Sequence, residues 1–435
     1  MSAQEYELLF GGSSSASFGL FASSTLERFA ATGKATSSLA LSFATGDFEI
    51  RAEASLGATT GGEPADELVD SYWPEGLPIF IMRKGEVEAS LKELSANIAV
   101  SDRLSFSIGR LPSRAGTMDL FPCVDFLSRT NTESLFSGNF AETVKPADIV
   151  SARFIAEPFY AKLSVQPIRP AMLIVEPSSP WFPRRELSVR GIDISFLSVS
   201  ITEDDHSWTG KDIGYFMEIG GNLGAFDLSI LAFSGWDTNP LLVPTLRHFS
   251  SNSIELKKTY RKKTALGISL SAVIEEFRLK LDAAYSPARS QLFNTDGLGL
   301  SWETIEKPSF EGVIGFEWNL PLPSALAFGE YKETIVVDDP GISSGLLASA
   351  AGLGLRAGFF DSLLKTEAIV IAGPITKNLK APEARGIVAA LRLALVPYEE
   401  LELSVAIPFF VGNPDSALGS YASYRYASAG MKIRF

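Results

Sequence analysis

The chain has one cysteine, two histidines and no apolar run of helical membrane-spanning length. Each shortage excludes something. Cys123 alone cannot close an internal disulfide, and no Cys/His spacing suits zinc. The absence of about 18 consecutive apolar residues removes a transmembrane helix. With only His206 and His248, a general base is scarce. His206 follows the acidic run Glu203-Asp204-Asp205, but sequence adjacency does not build a triad, and the segment reads as a solvated loop tip. That run also lacks calcium-loop spacing. Gly220-Gly221 and Gly352-Leu353-Gly354 are not followed by the Lys that a phosphate loop needs. A net charge of −13 disfavours nucleic acid. No enzyme, cofactor or metal site is expected. No linker is present either: Pro, Gly and Ser are spread along all 435 residues, so residues 1–435 read as one domain.

What is present is alternation. The apolar fraction is 46%, with a mean hydropathy of +0.15, yet the apolar residues are dealt out singly. Phe277, Leu279, Leu281, Ala283 and Tyr285 alternate with Arg278, Lys280, Asp282 and Ala284, and Leu401 to Phe410 and Phe48 to Leu56 repeat the pattern. Strands with one greasy and one wet face have this period of two. Eight short turns are predicted, at 45–47, 101–103, 156–158, 222–224, 275–276, 320–324, 360–362 and 397–400. They alternate with nine longer connections, among them Ser13 to Gly33, Ala58 to Gly76, Ser113 to Pro146 and Pro287 to Glu306. Lys84 to Val100 reads as a long, bent strand. The expected fold is all-β: a transmembrane antiparallel barrel of about 18 strands, within a range of about 16 to 20, with short periplasmic turns and long extracellular loops. Aromatic residues near strand ends, including Tyr160, Tyr215, Trp318, Tyr331, Tyr398 and Tyr421, are expected to form girdles at the lipid boundary.

The C-terminus carries a resemblance. Phe435 ends a segment in which Ile433 and Met431 occupy alternate positions, and it resembles the terminal signature of Gram-negative outer-membrane proteins. The resemblance implies an outer-membrane location, insertion by the barrel-assembly machinery and contact with outer-membrane lipid. The start Met1-Ser2-Ala3-Gln4 reads like the mature end of an exported protein. Gly109-Arg110, Leu120-Phe121-Pro122 and Asp125-Phe126 are loosely similar to a pattern in alginate-export-like substrate porins.

A barrel of this size leaves a water-filled lumen. The inward face is expected to carry Glu49, Arg51, Glu53, Arg153, Lys162, Arg278, Lys280, Asp282, Glu317, Glu330, Arg392, Lys432 and Arg434, a mixed set of charges suited to small hydrophilic solutes. Ser113 to Pro146 combines both charge signs with many large apolar residues. It reads as a loop folded into the pore, with Arg110, Arg114, Asp119, Asp125, Arg129 and Glu133 near the solute path. Passive diffusion of solutes is the leading functional reading. A channel for hydrophobic substrates, and an adhesin or enzyme anchored by the barrel, are the alternatives. Oligomeric state and solute stay open.

Overall fold

The computed structural model describes residues 6–23, 28–60, 81–84, 87–111, 113–130, 144–168, 198–203, 212–238, 241–248, 253–294, 302–322, 324–337, 349–373, 386–412, 418–422 and 424–435. Eighteen antiparallel strands close into one barrel, and a further four-residue strand, Ile81–Lys84, pairs on the same sheet with residues 87–90. In chain order they are β1 (Tyr6–Ser23), β2 (Arg28–Thr45), β3 (Phe48–Thr60), β4 (Val87–Ser101), β5 (Leu104–Leu111), β6 (Ala147–Ala156), β7 (Phe159–Gln166), β8 (Gly214–Leu223) and β9 (Phe226–Trp236). They continue with β10 (Lys262–Ile274), β11 (Phe277–Asn294), β12 (Trp302–Asn319), β13 (Ala325–Val336), β14 (Ser349–Phe359), β15 (Leu364–Gly373), β16 (Gly386–Tyr398), β17 (Leu401–Gly412) and β18 (Tyr424–Arg434). Each strand pairs with its sequence neighbours. The seam closes as β1 meets β18 from Ser13↔Arg434 to Ser23↔Tyr424. The Gly12 amide donates to the Phe435 carbonyl at 2.8 Å, and the Phe435 amide returns a bond at 3.1 Å. No free edge remains along this stretch.

The eight short connections fall where the sequence puts them, all on one rim. Thr45↔Phe48, Leu223↔Phe226 and Ile274↔Phe277 are closed by two-residue turns. Alternation fixes the two faces. Leu163, Ile230, Leu266, Ile314 and Leu353 are 53–60% exposed, whereas their neighbours Ser164, Leu231, Ala265 and Val313 are at most 1% exposed. The exposed apolar belt runs around the barrel on strand after strand. It far exceeds the patches a soluble monomer tolerates, and it is a lipid-facing surface.

Three expectations change. Ser13 to Gly33 is not a loop: most of it belongs to the 18-residue strands β1 and β2. Its serines suggest a loop by composition, but their hydroxyls pair across strands, Ser13 with Ser38 and Ser14 with Ser37, each at 2.9 Å. Pro287 to Glu306 is likewise mostly strand, pairing out to Asn294↔Trp302. Tyr160 and Tyr421 are not girdle residues. Tyr160 bonds to Glu218 on the inner face, and Tyr421 is buried against Phe410 at 5.3 Å. The bend expected in Lys84 to Val100 is a bulge in β4, where the register to β3 slips between Glu53 and Ala54. Outside the barrel, Ser198–Glu203, Leu241–His248 and Ser253–Thr259 form a separate small sheet. His206 lies outside the described residues.

Candidate functional site

The segment after β5 leaves the wall and runs through the lumen. Two residues before that strand ends lies Gly109, whose φ of +126° suits glycine and whose missing Cβ would stand 2.0 Å from the Leu94 carbonyl oxygen. The next residue is tied down. Arg110 grips Asp148 on β6 with two bonds of 2.9 Å and donates a third to the Leu91 carbonyl at 3.0 Å. From residue 113 the chain turns inward and buries Met118, Phe121, Val124, Phe126 and Leu127, each at most 4% exposed. Phe126 stacks on Phe233 of β9 at 5.6 Å, and the Lys263 ammonium of β10 lies 5.0 Å from the Phe126 ring. Burial of this kind contributes about 1.5–3 kcal/mol per large side chain before the cost of ordering the loop.

Two wall carboxylates hold the loop's backbone. Asp282 on β11 accepts from the Thr117 amide and hydroxyl, each at 3.1 Å. Glu330 on β13 accepts three consecutive amides, those of Asp119 at 2.6 Å and of Leu120 and Phe121 at 2.9 Å. Backbone groups that would be buried without partners are satisfied by charge-assisted bonds. In register, Lys280, Gly315, Glu330 and Gly352 form one row across β11 to β14. The two glycines flanking Glu330 leave the room the loop occupies. A Cβ on Gly315 would lie 3.2 Å from the Met118 sulfur, and one on Gly352 would lie 2.4 Å from a Leu120 methyl.

The predicted site residues separate into groups. Arg114 and Asp119 form an ion pair at 2.9 Å on the loop, and Arg114 also donates to the Met118 carbonyl. Lys280 reaches Asp119 at 3.4 Å and pairs with Glu317, which Arg278 meets at 3.7 Å. Asp125 turns into the loop itself, accepting from the Ser128 amide at 3.2 Å, and burial pushes its carboxyl up to about 6. Burial also pushes the Cys123 thiol up. Arg129 takes part in a two-residue ladder with Lys145, and Glu133 lies outside the described residues. Glu49, Arg51 and Glu53 alternate on β3 with exposed Ile50 and Leu56, and Arg51 pairs with Glu49 at 2.6 Å. Lys162 reaches the Ser113 hydroxyl at 3.3 Å. Near the turn rim, Arg392 and Arg434 converge on Glu402, and Arg356 pairs with Glu367 at 2.7 Å. Lys432 lies opposite Glu402 in register, and Met431 and Ile433 point outward with Phe435 exposed beyond them.

Sequence reasoning missed two features. One is a triplet in which Arg289 at 3.0 Å and Lys332 at 2.7 Å share Glu311. The other is a hydroxyl-lined wall across β1 to β4, with Ser13, Ser38, Ser55 and Ser95 on the inward parity. The serine-rich runs 13–17 and 37–38 carry that signal once read as strand rather than loop.

No family model matches the chain, and no curated protein matches it in sequence. Solved structures do match along its whole length. Acinetobacter baumannii OccAB1 aligns at TM-score 0.53 and 8% identity over 98% of this chain and 96% of that one. OccAB4 of the same organism aligns at 0.52 and 10% identity, over 100% and 98%. Pseudomonas aeruginosa OpdQ aligns at 0.51 and 10% identity, over 99% and 98%. The fold is that of the outer-membrane porins. At these identities the likeness carries the architecture and no substrate.

Proposed function

We propose that this protein is a passive channel of a bacterial outer membrane that admits small hydrophilic solutes, and that residues 113–128 set its narrowest part. The observation that supports this reading is the loop bound to the inner wall through Glu330 and Asp282, with charged Arg114 and Asp119 beside it. A barrel serving only as an anchor needs no charged loop held inside its lumen. In a narrow, poorly screened passage such charges act on ions more strongly than in bulk water. The chemistry asked of the protein is positioning, not catalysis. Arg129 and Glu133 belong to the same proposal, as contributors from the remainder of the loop, and barrel-assembly machinery is the proposed insertion partner.

The test is a planar-bilayer recording of the refolded protein. The parent is expected to give discrete conductance steps. Replacing residues 116–128 by a short Gly-Ser linker is expected to raise the step size, and Asp119→Asn to shift the reversal potential toward anions. No steps from correctly folded parent would refute the channel reading and favour an adhesin or enzyme whose loops carry the activity.

A further inference from the structure

We infer that the cavity on the turn-rim side of the loop is a solute subsite for neutral polyhydroxylated molecules of about monosaccharide size. The inference rests on the channel reading and deepens it. The cavity, open to the lumen, has a volume of about 250 Å³ between the loop at Thr117 and the wall from β6 to β10. That is below the range of about 300–1,000 Å³ that takes drug-sized ligands, so its occupant is small.

Its groups are built rather than incidental. The Tyr160 ring lies across Gly220, where an added Cβ would meet the ring at 2.6 Å, and its hydroxyl donates to Glu218 at 2.7 Å. The Arg153 guanidinium stands 5.5 Å from the centre of the same ring. Among the described residues Arg153 has no hydrogen-bond or ion-pair partner, and its guanidinium brings N–H donors to the lining. The same lining holds three carboxylates, those of Glu157, Glu218 and Asp227. Asp227 is held by the Asn222 amide at 2.7 Å and the Ser271 hydroxyl at 3.3 Å, and Glu218 is bonded to Tyr160. Ser229 adds a hydroxyl to the lining.

This mixture selects the class. An anion drawn to Arg153 meets Glu218 and Asp227, and a cation drawn to those carboxylates meets Arg153. A polyol avoids both conflicts, because each hydroxyl donates to a carboxylate or accepts from a guanidinium. The rest of the lumen agrees. Its charges are largely consumed in local pairs, Arg110 with Asp148, Lys280 with Glu317, Glu311 with Arg289 and Lys332, so among the described residues no single-sign ladder leads an ion along the wall. The wall of β1 to β4, one strand away, offers serine hydroxyls.

The experiment adds glucose, inositol, gluconate or glucosamine to the turn-rim side of parent channels in a planar bilayer and records concentration-dependent loss of ionic current. Half-saturation for the two neutral polyols is expected to lie at least tenfold below that for the acid and the amine. Arg153→Gln and Glu218→Gln should each raise it about tenfold; the second, nearly isosteric, covers the case in which the first does not fold. Equal or tighter block by gluconate or glucosamine overturns the assignment, as do variants that match the parent. A parent that conducts but ignores every polyol removes the subsite and leaves the channel. A folded parent that does not conduct removes both.

Discussion

Glu330→Gln is the sharpest perturbation of the loop. The carboxylate accepts three backbone amides, at 2.6, 2.9 and 2.9 Å. A bond to a charged acceptor contributes about 1.5–3 kcal/mol and a neutral one about 0.5–1.5, so losing the charge costs about 1 kcal/mol on each of three bonds. The new amide also turns N–H donors toward donors, leaving at least one loop amide unpaired at a further cost of about 1–3 kcal/mol. The loop should therefore lose about 4–6 kcal/mol of docking free energy, raising its undocked population more than a hundredfold. The barrel should survive, because no strand pairing involves this side chain. The unboiled variant should run apart from the boiled one on a detergent gel, as is expected of the folded parent. Single-channel records should show added open-state noise and excursions to higher conductance, and deletion of residues 116–128 should abolish the difference from parent. If the variant folds and its traces match the parent's in noise and step size, Glu330 does not hold the loop and the reasoning fails.

The remaining expectations concern the lipid face, the loop's root and its acidity. Ile314→Lys, on the outward parity and 56% exposed, should lower unfolding free energy by about 2–4 kcal/mol, measured by denaturant titration in detergent or lipid; a cost below about 1 kcal/mol would mean that this face does not meet lipid. Gly109→Ala should destabilise clearly more than Gly224→Ala in the same titration. Both have positive φ, but only at Gly109 would the Cβ strike a backbone carbonyl, and equal effects would refute the steric argument. Asp125 has its carboxyl raised in the folded state to about 6 from about 3.9 in the unfolded chain, so the folded loop binds the extra proton; its stability is full below about pH 4 and declines by up to about 3 kcal/mol as pH rises to just above 6. Asp125→Asn should flatten that dependence in conductance noise recorded from pH 4 to 7.5, and an unchanged slope would assign it to another group.

The barrel was legible because lipid and water impose opposite demands on adjacent residues of every strand. Phe277, Leu279 and Leu281 against Arg278, Lys280 and Asp282 carry the register without any knowledge of their neighbours. The turns were legible for the same local reason. The error at Ser13 to Gly33 arose where composition spoke against alternation. Serine marks loops on average, yet Ser13 and Ser38 satisfy each other across strands, and Ser14 and Ser37 do so on the outer face. A hydroxyl that has a cross-strand partner is compatible with either face, so in such a segment the period of two deserved more weight than the residue type.

The site was legible only in part, because its determinants lie far apart in sequence. Large apolar residues mixed with charge marked 113–146 as a loop that needs a surface to pack on. Nothing local says which surface, since the bond from Asp119 to Glu330 spans 211 residues. Gly315 and Gly352 read singly as relief of crowding within their strands, and Glu330 as one more inward charge. Only the barrel's register puts the three side by side, and there they have one explanation: a carboxylate between two gaps, shaped to receive consecutive backbone amides and the side chains of Met118 and Leu120. Inward glycines paired in register with a charged residue on the intervening strand are therefore a sign of where a barrel wall receives a loop, and they become readable as soon as the strand order is known.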